Sequence, residues 1–169
     1  MSTIKQNFHA ECESAISKQI NSELASSYFY MALAYHFDRD DVALENFHKY
    51  FCKFSNNKRE NAQKLLKYMN ERGGRVKLVD IGTPANNFGE PLSIMQAVLE
   101  HERKVNDSLL DLTHLAEKHN DEQLCDFMED HFLNPEVELL KQVGDHVTNL
   151  KRVGDGLGVY MFERETLEH

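Results

Sequence analysis

Five polar residues stand in line with hydrophobic ones: Glu23, Lys58, Asn61, Glu102 and Glu136. Each falls on an apolar stripe that repeats at steps of three and four, the signature of a helix burying one face. An unpaired charge in such a position loses several kcal/mol of solvation, so something must compensate it. In four-helix bundles the usual compensation is a pair of metal ions held by single Glu residues and by Glu-x-x-His pairs. Spacing i, i+3 suits such a pair because both side chains share one helix face. Here Lys58-x-x-Asn61 has that spacing with other chemistry. A protonated lysine has no lone pair to offer, and neutral Asn is a poor substitute for imidazole. Lys58 is therefore expected to act as an internal counter-ion, paired with Glu102 and Glu23, filling the site with an ammonium group. Taken singly, each residue reads first as a misjudged helix phase; three acids and a lysine in phase on four helices form a pattern. Tyr30, on the stripe of Glu23, reads first as a core aromatic with a bonded hydroxyl.

Four long segments must position these groups. The first stripe is Ile16, Ile20, Glu23, Ser27, Tyr30, Ala34, Phe37. The second follows the cap-like Asp40-Asp41 and runs Leu44, Phe47, Phe51, Phe54, Lys58, Asn61, Leu65, Met69, stopping at Gly73-Gly74. The third begins near Pro91, suited to a first helical turn, and runs Met95, Val98, Glu102, Val105, Leu109, Leu112, Ala116. The fourth starts after Asn120-Asp121 and runs Met128, Phe132, Glu136, Leu139, Val143, Val147, Leu150, with Pro135 bending it just before Glu136. Gly154, Gly156 and Gly158 break the chain before a short last helix around Tyr160 to Leu167.

Short links make the first two helices one antiparallel pair and the last two another. The segment from Gly73 to Glu90 carries alternating Val76, Leu78 and Ile81. It can span roughly 60 Å when extended, against about 40 Å for a helix of this length. One such crossover predicts an all-α, ferritin-like four-helix bundle with a short fifth C-terminal helix, as one domain over residues 1–169.

Composition narrows the function classes. The 169 residues carry a formal charge of −9, which argues against nucleic acid as a partner. No stretch approaches the roughly 18 apolar residues of a membrane span, and the N-terminal residues show no secretory signal. Cys12, Cys52 and Cys125 lie far apart without metal-type spacing, consistent with free thiols in a reducing cytosol. Leu167-Glu168-His169 reads equally as the start of a purification-tag scar and carries no argument.

Several runs resemble animal ferritin: Gln19-Ile20-Asn21-Ser22-Glu23, Tyr35 through Leu44, Asn70-Glu71-Arg72-Gly73-Gly74-Arg75, Leu124-Cys125-Asp126-Phe127 and Gly144 through Leu150. The resemblance covers essentially the whole chain. It implies a cytosolic homo-oligomeric shell of about two dozen subunits, taking up ferrous iron and holding it as ferric mineral. By motif, Glu23, Tyr30 and Glu102 match ferroxidase positions. The family's Glu-Glu-Arg-Glu-His run stands here as Asn57-Lys58-Arg59-Glu60-Asn61, so two iron ligands are replaced, and Glu136 stands where heavy-type chains carry Gln. The lysine resembles light-type subunits, which rely on an acidic inner patch to nucleate mineral. Of its positions here, Lys53, Asn56, Asn57 and Glu60, only Glu60 is a carboxylate. Asp126 and Glu129 match acids lining the three-fold channels; without the resemblance they read as acids complementing a helix dipole. Leu157, Met161 and Glu165 resemble the element at the four-fold axis, with Glu165 in place of the usual His, so no metal is expected there.

The resulting expectation is an iron-storage subunit with an impaired ferroxidase site, working alone or beside a ferroxidase-active subunit. Two alternatives stay open. In one, Glu23, Glu102, Glu136 and Glu60 still bind and oxidise iron in altered geometry. In the other, the chain is a helical interaction protein whose polar core residues only fix packing.

Overall fold

The computed structural model describes residues 1–167. The helices are α1 (Ala10–Phe37), α2 (Glu45–Glu71), α3 (Pro91–Lys118), α4 (Glu122–Met128), α5 (Asn134–Val153) and α6 (Leu157–Glu165). A single π-helical turn, Glu129–Leu133, joins α4 to α5 so that they act as one long fourth helix. No strand occurs among the described residues. The expected all-α bundle with one crossover and a short last helix is the observed one.

Local chemistry explains the helix ends. α2 closes in a Schellman motif: Gly74 N–H donates to Met69 O at 2.9 Å and Gly73 N–H to Asn70 O at 3.2 Å. Gly73 has φ +80°, and a Cβ there would collide with Ser2, so this turn needs glycine. α3 ends the same way with Asn120 at φ +56°, and Asp121 then caps α4 by accepting from Leu124 N–H at 3.0 Å. Asp40-Asp41 does not cap α2 as the sequence suggested. Leu44 holds that position without a side-chain bond, and Asp41 is taken by Arg39. The last helix also begins earlier than expected, at Leu157, with Gly158 inside it. A Cβ at Gly158 would strike the Val153 carbonyl, so glycine permits the tight fold-back of α6 onto α5.

The apolar interior forms two clusters at opposite ends of the bundle. One holds Ile16, Ile20, Leu65, Met69, Leu109, Leu112 and Leu124; the other holds Leu33, Phe37, Phe47, Phe51, Met95, Val143 and Leu150. Residues from the start of α1 share a cluster with the ends of α2 and α3, so α1 and the fourth helix run one way and α2 and α3 the other. The crossover must therefore travel the bundle's length. It does so along α1, held by Glu13, Ser17 and Asn21, which sit one turn apart and bond the backbone of Arg75, Lys77 and Val79. Its side chains Leu78 and Val79 remain exposed. The predicted alternation thus buries little in the isolated chain. Between the two apolar clusters lies a polar layer.

Candidate functional site

That layer contains Gln19, Glu23, Ser26 and Ser27 of α1, Ser55 and Lys58 of α2, Glu102 of α3 and Glu136 of α5, all buried. Across the α1–α2 seam, Ser27 Oγ donates to Ser55 O and Ser55 Oγ to Ser27 O, both at 2.8 Å. These bonds satisfy the backbone beside the site. The short serines leave room for longer side chains to reach the bundle axis.

The lysine is at the centre. Lys58 Nζ donates to Glu102 Oε2 at 3.0 Å and lies 3.9 Å from Glu23 Oε2. Tyr30 OH donates to the other Glu102 oxygen at 2.5 Å. Gln19 Nε2 donates to Glu23 Oε1 at 3.1 Å and is itself oriented by Ser108, whose hydroxyl donates to Gln19 Oε1 at 2.7 Å. Glu23 Oε2 and Glu136 Oε1 are buried without a hydrogen-bond partner.

This arrangement sets the charges. Burial alone would discharge Lys58, but Glu23, Glu102 and Glu136 more than reverse it and raise its pKa. For Glu102, burial is outweighed by Lys58 and by hydrogen bonds from Glu136, Tyr30 and Lys58, so its pKa is lowered. Glu136 goes the other way. Burial, a hydrogen bond to Glu102 and the charge on Glu102 push it up to about 9, so it enters neutral pH as the protonated partner of Glu102. Glu23 is raised, chiefly by burial, with Lys58 and Gln19 opposing. The site at pH 7 is therefore an ammonium–carboxylate pair with a neutral acid donating beside it.

Pro135 explains how Glu136 reaches the interior. Proline lacks an N–H and crowds the carbonyl four residues back. The π-helical turn before it relieves that conflict, with Asn134 N–H donating to Glu129 O. The extra residue rotates the rest of the helix and keeps Glu136 in phase with Phe132 and Val143, all buried.

The other predicted residues sit at the margin or elsewhere. Asn61 is only half-buried, at the edge of the α2 face, yet its side chain still reaches Glu23 and opposes the rise in that residue's pKa. It lines a cleft of about 380 Å³ between α2 and the fourth helix, together with Glu60, Glu23, Lys58 and Glu136. Glu60 is exposed at that cleft and does not join the buried group. Lys53, Asn56 and Asn57 are exposed on α2. Asp126 and Glu129 are on the fourth helix, away from the buried layer. On α6, Leu157 and Met161 are exposed apolar side chains, 74% and 46% accessible, with Glu165 exposed beside them. Of Leu167-Glu168-His169, only Leu167 is among the described residues, buried against the α6 end of the core.

Sequence reading missed Gln19 and Ser108, which position Glu23. Gln19 stands four residues before Glu23 on one face, and that spacing was the signal to look for. It also missed His101, whose ring meets Tyr30 edge-on at 5.6 Å and whose Nε2 lies 2.8 Å from Ser26 Oγ. Burial lowers its pKa.

Comparison with known proteins is consistent across the chain. The ferritin-like domain family matches residues 13–153. The chain is 52% identical over 168 residues to soma ferritin of Lymnaea stagnalis, covering 99% of this chain and 97% of that one. It is 48% identical over 168 residues to ferritin-1 heavy chain of Schistosoma mansoni, covering 99% and 97%. To ferritin heavy chain of Echinococcus granulosus it is 49% identical over 169 residues, covering 99% and 98%.

Proposed function

The chain belongs to the ferritin family of iron-storage proteins, and within that family we propose that it is a shell subunit whose oxidation site is held shut by Lys58. The single domain, residues 1–169, would assemble with about two dozen copies, alone or with an oxidising subunit, in the cytosol. Ferrous iron is its substrate and cargo.

One observation carries this reading: Lys58 Nζ sits 3.0 Å from Glu102 and 3.9 Å from Glu23, the two carboxylates an iron pair would need. A divalent ion about 4 Å from an ammonium is repelled by roughly 8 kcal/mol at an effective dielectric near 20. Deprotonating Lys58 first is no easier, since its neighbours raise its pKa. Tyr30 then serves to hold Glu102 rather than to exchange electrons.

A second reading has its own support. Glu23 Oε2 and Glu136 Oε1 are unpartnered, and both residues line the cleft that Glu60 shares. Under that reading Glu23, Glu102, Glu136 and Glu60 bind iron at the cleft and oxidise it. Ferrous iron oxidation by the pure protein at neutral pH separates the two: we expect a rate far below that of a heavy-type ferritin, and an equal rate would refute the Lys58 reading. Lys58→Glu combined with Asn61→His should restore oxidation. Gel filtration tests the assembly, because a monomer-sized species would favour a helical interaction protein instead. Asp126 and Glu129 would admit cations at shell channels, and Asp126→Asn with Glu129→Gln should slow iron uptake.

A further inference from the structure

A second group of metal-binding side chains lies outside the bundle interior, and we infer that His9, Glu11 and His119 form a surface site for a borderline divalent metal ion such as Zn²⁺. The inference is independent of iron storage. His9 and Glu11 come from the start of α1 and His119 from the end of α3, so the fold alone brings them together. Each offers one donor atom, and the three donors lie within 4.8 Å of one another. The two imidazole rings stack at 3.6 Å between centroids, tilted by 13°. His119 Nε2 lies 3.2 Å from Glu11 Oε2.

The backbone beneath is tied down. Asn7 Nδ2 donates to Asn120 O at 3.4 Å, and Arg72 bonds both Asn7 O and the Asp121 carboxylate at 2.9 Å. Phe8 is buried in the core. Each histidine is therefore one or two residues from a fixed point, while the rings themselves stay accessible: His9 is exposed and His119 partly so. Two imidazoles and one carboxylate suit Zn²⁺ and Cu²⁺ far better than Mg²⁺ or Ca²⁺.

Binding asks for small rearrangements. Ligand distances near 2 Å require the donors to close in, and face-to-face rings must turn so that their lone pairs converge. His9 Nδ1 now accepts from Glu11 N–H at 3.0 Å, so a bound ion costs that capping bond on either nitrogen: Nδ1 would give its lone pair to the metal, and ligation through Nε2 moves the ring proton onto Nδ1. Lys118 Nζ, 3.8 Å from Glu11 Oε2, must also swing aside. These costs predict a moderate rather than a very tight site.

The test uses the assembled protein, stripped of metal, with Zn²⁺ as the probe. Crystals soaked in Zn²⁺ should show anomalous density bridging His9, Glu11 and His119. Calorimetric titration should show one class of site per chain weakened more than about tenfold, the lower end of what even outer-sphere partners cost, by His119→Gln and by His9→Asn. Asn can still cap α1, so unchanged melting of His9→Asn without metal assigns its loss of zinc to ligation. Density at other positions but not here, or isotherms that both variants leave unchanged, would overturn the site.

Discussion

Two buried ion pairs hold this bundle, and they are built differently. Arg72 meets Asp121 with two parallel bonds of 3.0 and 2.9 Å, and its two terminal nitrogens also donate to Asn7 O and Tyr68 OH. Asp121 Oδ1 also caps α4. That network is a brace between three helix ends and the N-terminal segment. Lys58, by contrast, makes one strong bond to Glu102 and a looser approach to Glu23, while two buried carboxylate oxygens have no partner. A planar guanidinium can saturate its surroundings, whereas a point-like ammonium among three acids cannot. An ion pair serving only stability tends to be complete. Glu23 and Glu136, which carry those unused oxygens, both line the cleft.

The contrast can be attacked at either pair. Asp121→Ala removes the brace and the cap together, and should cost about 4–5 kcal/mol in denaturant-induced unfolding; a loss under about 1 kcal/mol would mean that the brace is solvated. Lys58→Met strands the buried acids, at about 3 kcal/mol, less than Asp121→Ala because Glu136 is already neutral and Glu23, whose pKa burial raises, can take up a proton. Unchanged melting of Lys58→Met would put the lysine in water rather than between the carboxylates.

Glu136→Gln tests the incomplete pair through pH. A folded pKa of about 9 against 4.5 unfolded means the native state keeps a proton that the unfolded chain releases. Its stabilising effect is complete below about pH 4.5, falls as pH rises and is gone above about 9. Glutamine keeps a donor for Glu102 and has nothing to lose, so the variant should gain on the order of 2 kcal/mol at pH 6 and nothing at pH 4. A gain independent of pH would disprove the shared proton. The smallest effect is the coupling between the two pairs. They occupy different layers with no common partner, so Lys58→Met and Arg72→Met should add to within about 0.5 kcal/mol in a double-mutant cycle.

The interior cluster was legible because helical periodicity is a strong constraint: Glu23, Lys58, Glu102 and Glu136 interrupt stripes whose other members are mostly buried. Asn61 is less buried than its place on the stripe suggested, because it sits at the margin of that face, where a few degrees of helix rotation decide between interior and cleft. The start of α2 was misplaced because an Asp pair signals a cap only when no nearby arginine takes it, as Arg39 does. Gly158 looked like a breaker. Its real task, letting α6 approach Val153, depends on a contact that exists only after folding.

The order of amino acids was enough to specify which helices form, the single crossover between their pairs and which polar groups must share the interior, since periodicity and chain reach are local properties. How those groups divide their protons and bonds, which ion pair is complete, and that His9 would stack on His119 emerged only in three dimensions. Those outcomes depend on ångström-scale distances between helices, and such distances are set by the packing of the whole bundle.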